Sequence, residues 1–168
     1  MTKHRATGNG GGAIDMRGFF ANLVVTHSTF KENCAETAPA ISGEGNWQIS
    51  HSTFANNGGE GFIDDQGNNV NCPVYYGGGA IYLQDTIANI THSAFINNES
   101  TGGGAIFAHK GNLTLRNSTL SGNTATSPYY DETAFTHGGG AIEVYEASVS
   151  ISNSTLVNNQ SEAGSGGA

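Results

Sequence analysis

Three histidines, His27, His51 and His92, each open the same short phrase, His-Ser-Thr/Ala-Phe. Imidazole is the commonest transition-metal ligand, so a row of three in register could hold an ion such as Zn²⁺. No cysteine or carboxylate recurs beside them, and the same position later holds Asn117 and Asn153. The row therefore reads first as a polar turn position in which His replaces Asn, with His27, His51 and His92 as candidate ligands only in the alternative. If the rings stack, three adjacent imidazolium groups would repel and weaken the stack at acidic pH.

Aromatic and acidic side chains gather elsewhere. Tyr75 and Tyr76 close one irregular stretch, with Asp64 and Asp65 before them. Tyr129 and Tyr130 sit in a second, followed by Asp131 and Glu132. Aromatic rings lie against the apolar faces of sugars while carboxylates accept hydrogen bonds from hydroxyls, so this pairing suits a glycan. The alternative is that the tyrosines cover small cores of their own loops.

Catalysis needs more. A polysaccharide lyase needs a base, commonly Lys or Arg, and often a divalent cation to acidify the proton removed. Lys110, beside His109, is the basic residue nearest the candidate face. A glycoside hydrolase needs two carboxylates at a defined separation. Asp64, Asp65, Asp131, Glu132 and Glu143 are available without a diagnostic spacing. No catalytic residue is assigned, a binding module is favoured over an enzyme, and no cofactor is implied.

Composition narrows the partners. The net charge is −8 with only six Lys plus Arg, which disfavours nucleic acid and anionic membrane surfaces. No apolar run reaches the length of a membrane-spanning helix. No apolar leader segment is visible at the N-terminus.

These groups are positioned by a repeat. Phe or Leu recurs at 30, 54, 95, 120 and 156, in steps of 24, 41, 25 and 36 residues. Asn33, Asn57, Asn98, Asn123 and Asn159 follow each by three. Ile14, Ile41, Ile81, Ile106 and Ile142 each end a Gly- or Ala-rich segment, GGGAI in four coils and ETAPAI at 36–41. A period near 24 with short alternating apolar runs, bounded by Gly, Asn and Ser, excludes helical repeats and predicts an all-β solenoid. The architecture expected is a right-handed single-stranded parallel β-helix of about five coils, with three short strands per coil. Residues 1–168 form one domain in this reading, with loop insertions at 58–76 and 124–137 on the same corner. The Ile row, a Val25–Ile49–Ile90–Leu115–Ile151 row and the Phe/Leu row should point inward, with the Asn residues as an internal ladder. The Gly triplets are expected to supply positive φ in a tight turn.

If the Ile row points in, the next residues point out. Tyr82, Phe107 and Glu143 then share an outer row, with Gln84, His109 and Tyr145 two residues on. With Tyr75, Tyr76, Tyr129, Tyr130 and Asp131 they make a candidate ligand platform. The outward Thr29, Thr53, Thr119 and Thr155, interrupted by Ala94, are accounted for by β-propensity rather than by ice binding. Cys34 lies at the corner where the next coil opens its insertion, and Cys72 lies in that insertion. A Cys34–Cys72 disulfide would pin the loop in an oxidising compartment, with two free thiols as the alternative.

GGAI stands intact at 11–14, 78–81, 103–106 and 139–142, and FxxN at Phe30–Asn33, Phe54–Asn57 and Phe95–Asn98. This pairing resembles the repeats of polymorphic outer-membrane proteins, which are autotransporter passengers, and the wider class of secreted β-helix proteins. The resemblance implies extracellular or cell-surface display and a structural or adhesive role toward a glycan or receptor. The related alternative is a pectin-lyase-like enzyme. No capping segment is evident, so the chain reads as a fragment or as a subunit that associates end to end.

Overall fold

A computed structural model of the chain describes residues 11–18, 20–59, 62–63, 66–67, 69–70, 72, 77–126 and 138–162. Its strands form three parallel sheets that run along one axis. The first contains Ile14–Met16, Ile41–Ser50, Ile81–Thr91, Ile106–Arg116 and Ile142–Ser152 in that order, with Asn22–Thr26 pairing the second half of Ile41–Ser50. The second contains Thr29–Lys31, Thr53–Ala55, Ala94–Ile96, Thr119–Ser121 and Thr155–Val157. The third is narrow: Glu99–Ser100, Thr124–Ala125 and Gln160–Ser161. Each strand pairs with its counterpart one coil away, which makes the fold a parallel β-helix.

In the first coil Ile14–Met16 and Asn22–Thr26 stay separate, but in the coils that begin at Ile81, Ile106 and Ile142 the first two expected strands are one long strand with a bend inside it. The bend falls at Asp85, Lys110 and Glu146, whose φ values are 46°, 58° and 51°. The chain turns there, at Lys110 with Gly111 (φ 94°) beside it, while the flanking residues keep register: His109 pairs with Gln84, and Gly111 with Thr86. Two further columns of left-handed residues make the other corners. One is His27, His51, His92, Asn117 and Asn153; the other is Glu32, Asn56, Asn97, Gly122 and Asn158. Asn is the commonest residue in these two columns because a short polar side chain tolerates this backbone well.

The inward rows align in register. Ile14, Ile41, Ile81, Ile106 and Ile142 pair in sequence, as do Val25, Ile49, Ile90, Leu115 and Ile151. Phe30, Phe54, Phe95, Leu120 and Leu156 form the third row, with the phenyl rings stacked 4.8 and 4.7 Å apart. Most of these side chains are fully buried, each stabilising the fold by roughly 1.5–3 kcal/mol. Ile151 is 43% exposed because no described coil lies above it.

The Asn ladder is continuous. Asn57 donates its backbone N–H and its Nδ2 to Oδ1 of Asn98, at 3.1 and 2.9 Å, and a second Nδ2 bond to the Phe30 carbonyl at 3.1 Å. The same three bonds recur at Asn98 and Asn123. Beside it runs a serine ladder that the repeat did not announce. The backbone N–H groups of Ser28, Ser52, Ser93 and Ser118 each donate to the hydroxyl of the next serine at 3.2 Å. Each hydroxyl, including that of Ser154, donates in turn to the carbonyl two residues earlier.

Two expectations need correction. Among the described residues the Gly triplets do not supply positive φ, apart from Gly77 at 94°. They are required by close packing: a Cβ on Gly103 would lie 1.9 Å from the Ile106 carbonyl oxygen and 2.8 Å from the Glu143 nitrogen of the next coil. Of the expected insertion at 124–137, residues 124–126 continue the regular coil and the rest lies outside the described residues. Thr124 and Ala125 belong to the third sheet, and Thr126 N–H still bonds the Ser100 carbonyl at 2.7 Å. In the first insertion Phe62–Ile63 and Asn69–Val70 pair antiparallel. Cys72 is joined to Cys34 with their Cα atoms 5.4 Å apart, which ties this insertion to the preceding corner.

Candidate functional site

The outer face of the long strands, before their bend, carries the aromatic residues. The Ile row points in, so the next position forms an outer column: Asp15, Ser42, Tyr82, Phe107 and Glu143. Gln84, His109 and Tyr145 form a column two residues on. Four rings make one strip. Tyr82 and Phe107 stack with centroids 5.4 Å apart and planes 18° apart. His109 lies 6.2 Å from Phe107, and Tyr145 tilts against His109 at 5.3 Å and 50°. The Tyr82 hydroxyl and Nδ1 of His109 are hydrogen-bonded at 3.1 Å across the two coils. Burial, and then the charge of Asp85, raises the Tyr82 phenol above its ordinary pKa, so it stays protonated at neutral pH.

Stacking along the axis changes what the strip can present. Rings that cover one another, as Tyr82 and Phe107 do, give solvent mainly their edges. An open ring side is left where a column loses its aromatic residue. That happens above Phe107, whose register partner in the coil after is Glu143, and below Tyr82, whose register partner in the coil before is Ser42. A hollow of about 250 Å³ lies at the latter, lined by Asp15, Met16, Arg17, Thr37, Ser42, Gly43, Glu44, Tyr82 and Gln84. Asp15 accepts hydrogen bonds from Arg17 Nε and Ser42 Oγ, both at 2.8 Å. Among the described residues none bonds the Glu44 carboxylate or the Gln84 amide.

Asp15, Ser42 and Glu44 were not expected at this site. The rule that found Tyr82, applied to Ile14 and Ile41, would have placed Asp15 and Ser42 in the same column. Tyr75, Tyr76, Tyr129, Tyr130 and Asp131, with Asp64, Asp65 and Glu132, lie outside the described residues. Glu143 ends the outer column beside Phe107.

His27, His51 and His92 stack face to face at 4.8 and 4.9 Å, with planes within 5° and 1° of parallel. Parallel rings at that spacing point equivalent nitrogens the same way. Two Zn–N bonds span at most about 4.2 Å, so neighbouring rings in this arrangement do not converge on one ion. Among the described residues no group of three His, Cys, Asp or Glu side chains is placed to hold a metal. His92 instead meets Asn117 through Nε2 at 3.2 Å, continuing the corner column. Lys110 stands at its bend between Asp85 and Glu146 of the adjacent coils, exposed to solvent. Thr29, Thr53, Ala94, Thr119 and Thr155 share one register position on the outside of the second sheet.

Residues 92–109 match the Chlamydia polymorphic membrane protein repeat. The segment runs from the His92 corner through Phe95 and Asn98 to GGGAI and His109, and so contains both halves of the recurring motif. That stretch is similar to the repeat of that family. No curated protein and no solved structure matches the chain.

Proposed function

We propose that this chain, part of which is similar to a polymorphic membrane protein repeat, is a β-helix module displayed at the outer membrane or cell surface with an adhesive role. That similarity supports the location. The observation that carries the adhesive reading is the strip Tyr82–Phe107–His109–Tyr145, an aromatic surface on the outer face of a rigid sheet. Tyr145 is 42% exposed, and Tyr82, Phe107 and His109 are half-buried, an arrangement suited to a partner with apolar and hydroxyl-bearing faces. A glycan fits this chemistry. The enzyme reading has less support: Asp15 is engaged by Arg17 and Ser42, while Asp85 and Glu146 sit on the bend.

Binding of the purified chain to a glycan array tests the reading. Tyr82→Ala with Tyr145→Ala should abolish the signal; an unchanged pattern would end the platform idea.

A further inference from the structure

We propose that the hollow below Tyr82 is a subsite for one neutral hexopyranose ring, seated where the aromatic column is interrupted. The inference rests on the glycan reading and sharpens it. The ring stack runs up the axis through Phe107 and stops at Tyr82, because the next residue in the column is Ser42. Tyr82 borders the hollow, and most of the other lining residues belong to the two coils before it, so a flat-faced ligand there would continue the stack in the place of a missing ring. A sugar ring offers the C–H face that stacks on an aromatic and a rim of hydroxyls that both donate and accept.

The rim of the hollow matches that pattern. The Glu44 carboxylate accepts, the Gln84 amide does both, and Ser42 and Asp15 add a hydroxyl and a carboxylate already held in place by their own bond. At about 250 Å³ the space is smaller than the ~300–1,000 Å³ typical of drug-sized ligands, which fits a single ring rather than a longer segment. Charge sets the class. Among the described residues lining the hollow, Arg17 pairs with Asp15 and Glu44 adds a further negative charge, in a chain of net charge −8. An acidic sugar would meet repulsion. A cation over Tyr82 beside Glu44 is the competing chemistry.

Two-dimensional NMR titration of the full chain tests this with three probes: methyl β-galactopyranoside, its uronic-acid counterpart and tetramethylammonium. Saturable shifts at Tyr82, Glu44 and Gln84 are expected with the neutral glycoside, with affinity lowered about tenfold for the uronoside. Glu44→Ala and Tyr82→Ala should each weaken neutral-sugar binding by about tenfold, while Asn112→Ala, at an exposed position outside the strip and the hollow, leaves it unchanged. Thermal melts of each variant confirm that it is folded. Preference for tetramethylammonium, no saturable shift with the neutral glycoside, or loss on Tyr145→Ala but not on Glu44→Ala would overturn the subsite. Array binding that survives Glu44→Ala but not the Tyr82/Tyr145 double change would leave the wider platform standing without it.

Discussion

Asn98 shows how one side chain can hold three coils. Its Oδ1 accepts two bonds from Asn57, and its Nδ2 donates to Asn123 and to the Phe54 carbonyl, all in a fully buried position. An unmatched polar group there has no water to turn to, so the cost of removal is the desolvation of every partner left behind. Asn98→Ala should lower stability by on the order of 3 kcal/mol, read from the denaturant midpoint. Asn112→Ala, on an exposed position of the same coil, should stay within about 0.5 kcal/mol. Asn98 was legible in sequence because it recurs at a fixed distance from Phe95. The serine ladder was less so. Ser93 follows a corner residue, where a serine already has a local reason to be, and its bond to the next coil looks like ordinary turn composition until register is known.

At the scale of the element, the long strand and the turn before it depend on glycine for a reason the sequence disguised. A Gly triplet before a strand suggests left-handed backbone. The left-handed positions instead fall on His92, Asn97 and Lys110, while Gly103 is hemmed in by the carbonyl of its own turn and the backbone of the next coil. Gly103→Ala has no room to relax, since the blocking atoms are main chain in two coils. It should cost about 3 kcal/mol or more, or prevent folding, as judged by circular dichroism and the unfolding midpoint. The bend at Asp85, Lys110 and Glu146 was invisible for a related reason. Three charged residues at one register position read as solvent-facing side chains, and their φ is set by the turn the coil must make to close.

For the whole molecule, the solenoid holds each coil mainly by its neighbours, so an insertion is stable only as far as something ties it back. The Cys34–Cys72 bridge performs that task by closing a loop of 38 residues between two buried positions. Replacing both cysteines by serine should lower stability by about 3 kcal/mol and remove any effect of reductant on the unfolding midpoint. Equal midpoints for the two proteins without reductant would mean that other contacts anchor the loop.

The amino-acid sequence by itself determined the coil. Period, inward rows and Asn ladder follow from side chains that must meet their own counterparts every turn, so the pattern of Ile81, Ile106 and Ile142 is already a statement about contact. It also indicated which residues face outward, since alternation along a strand is local. The tertiary structure decided what that outer face can do. Whether an aromatic ring offers a face or an edge depends on the residue above and below it in the stack, a relation between coils separated by 24 to 41 positions of chain. Tyr82 and Phe107 look equivalent in the motif. Their neighbours differ: Ser42 lies beneath Tyr82 and borders the hollow with it, while Phe107 has Tyr82 beneath it and Glu143 above.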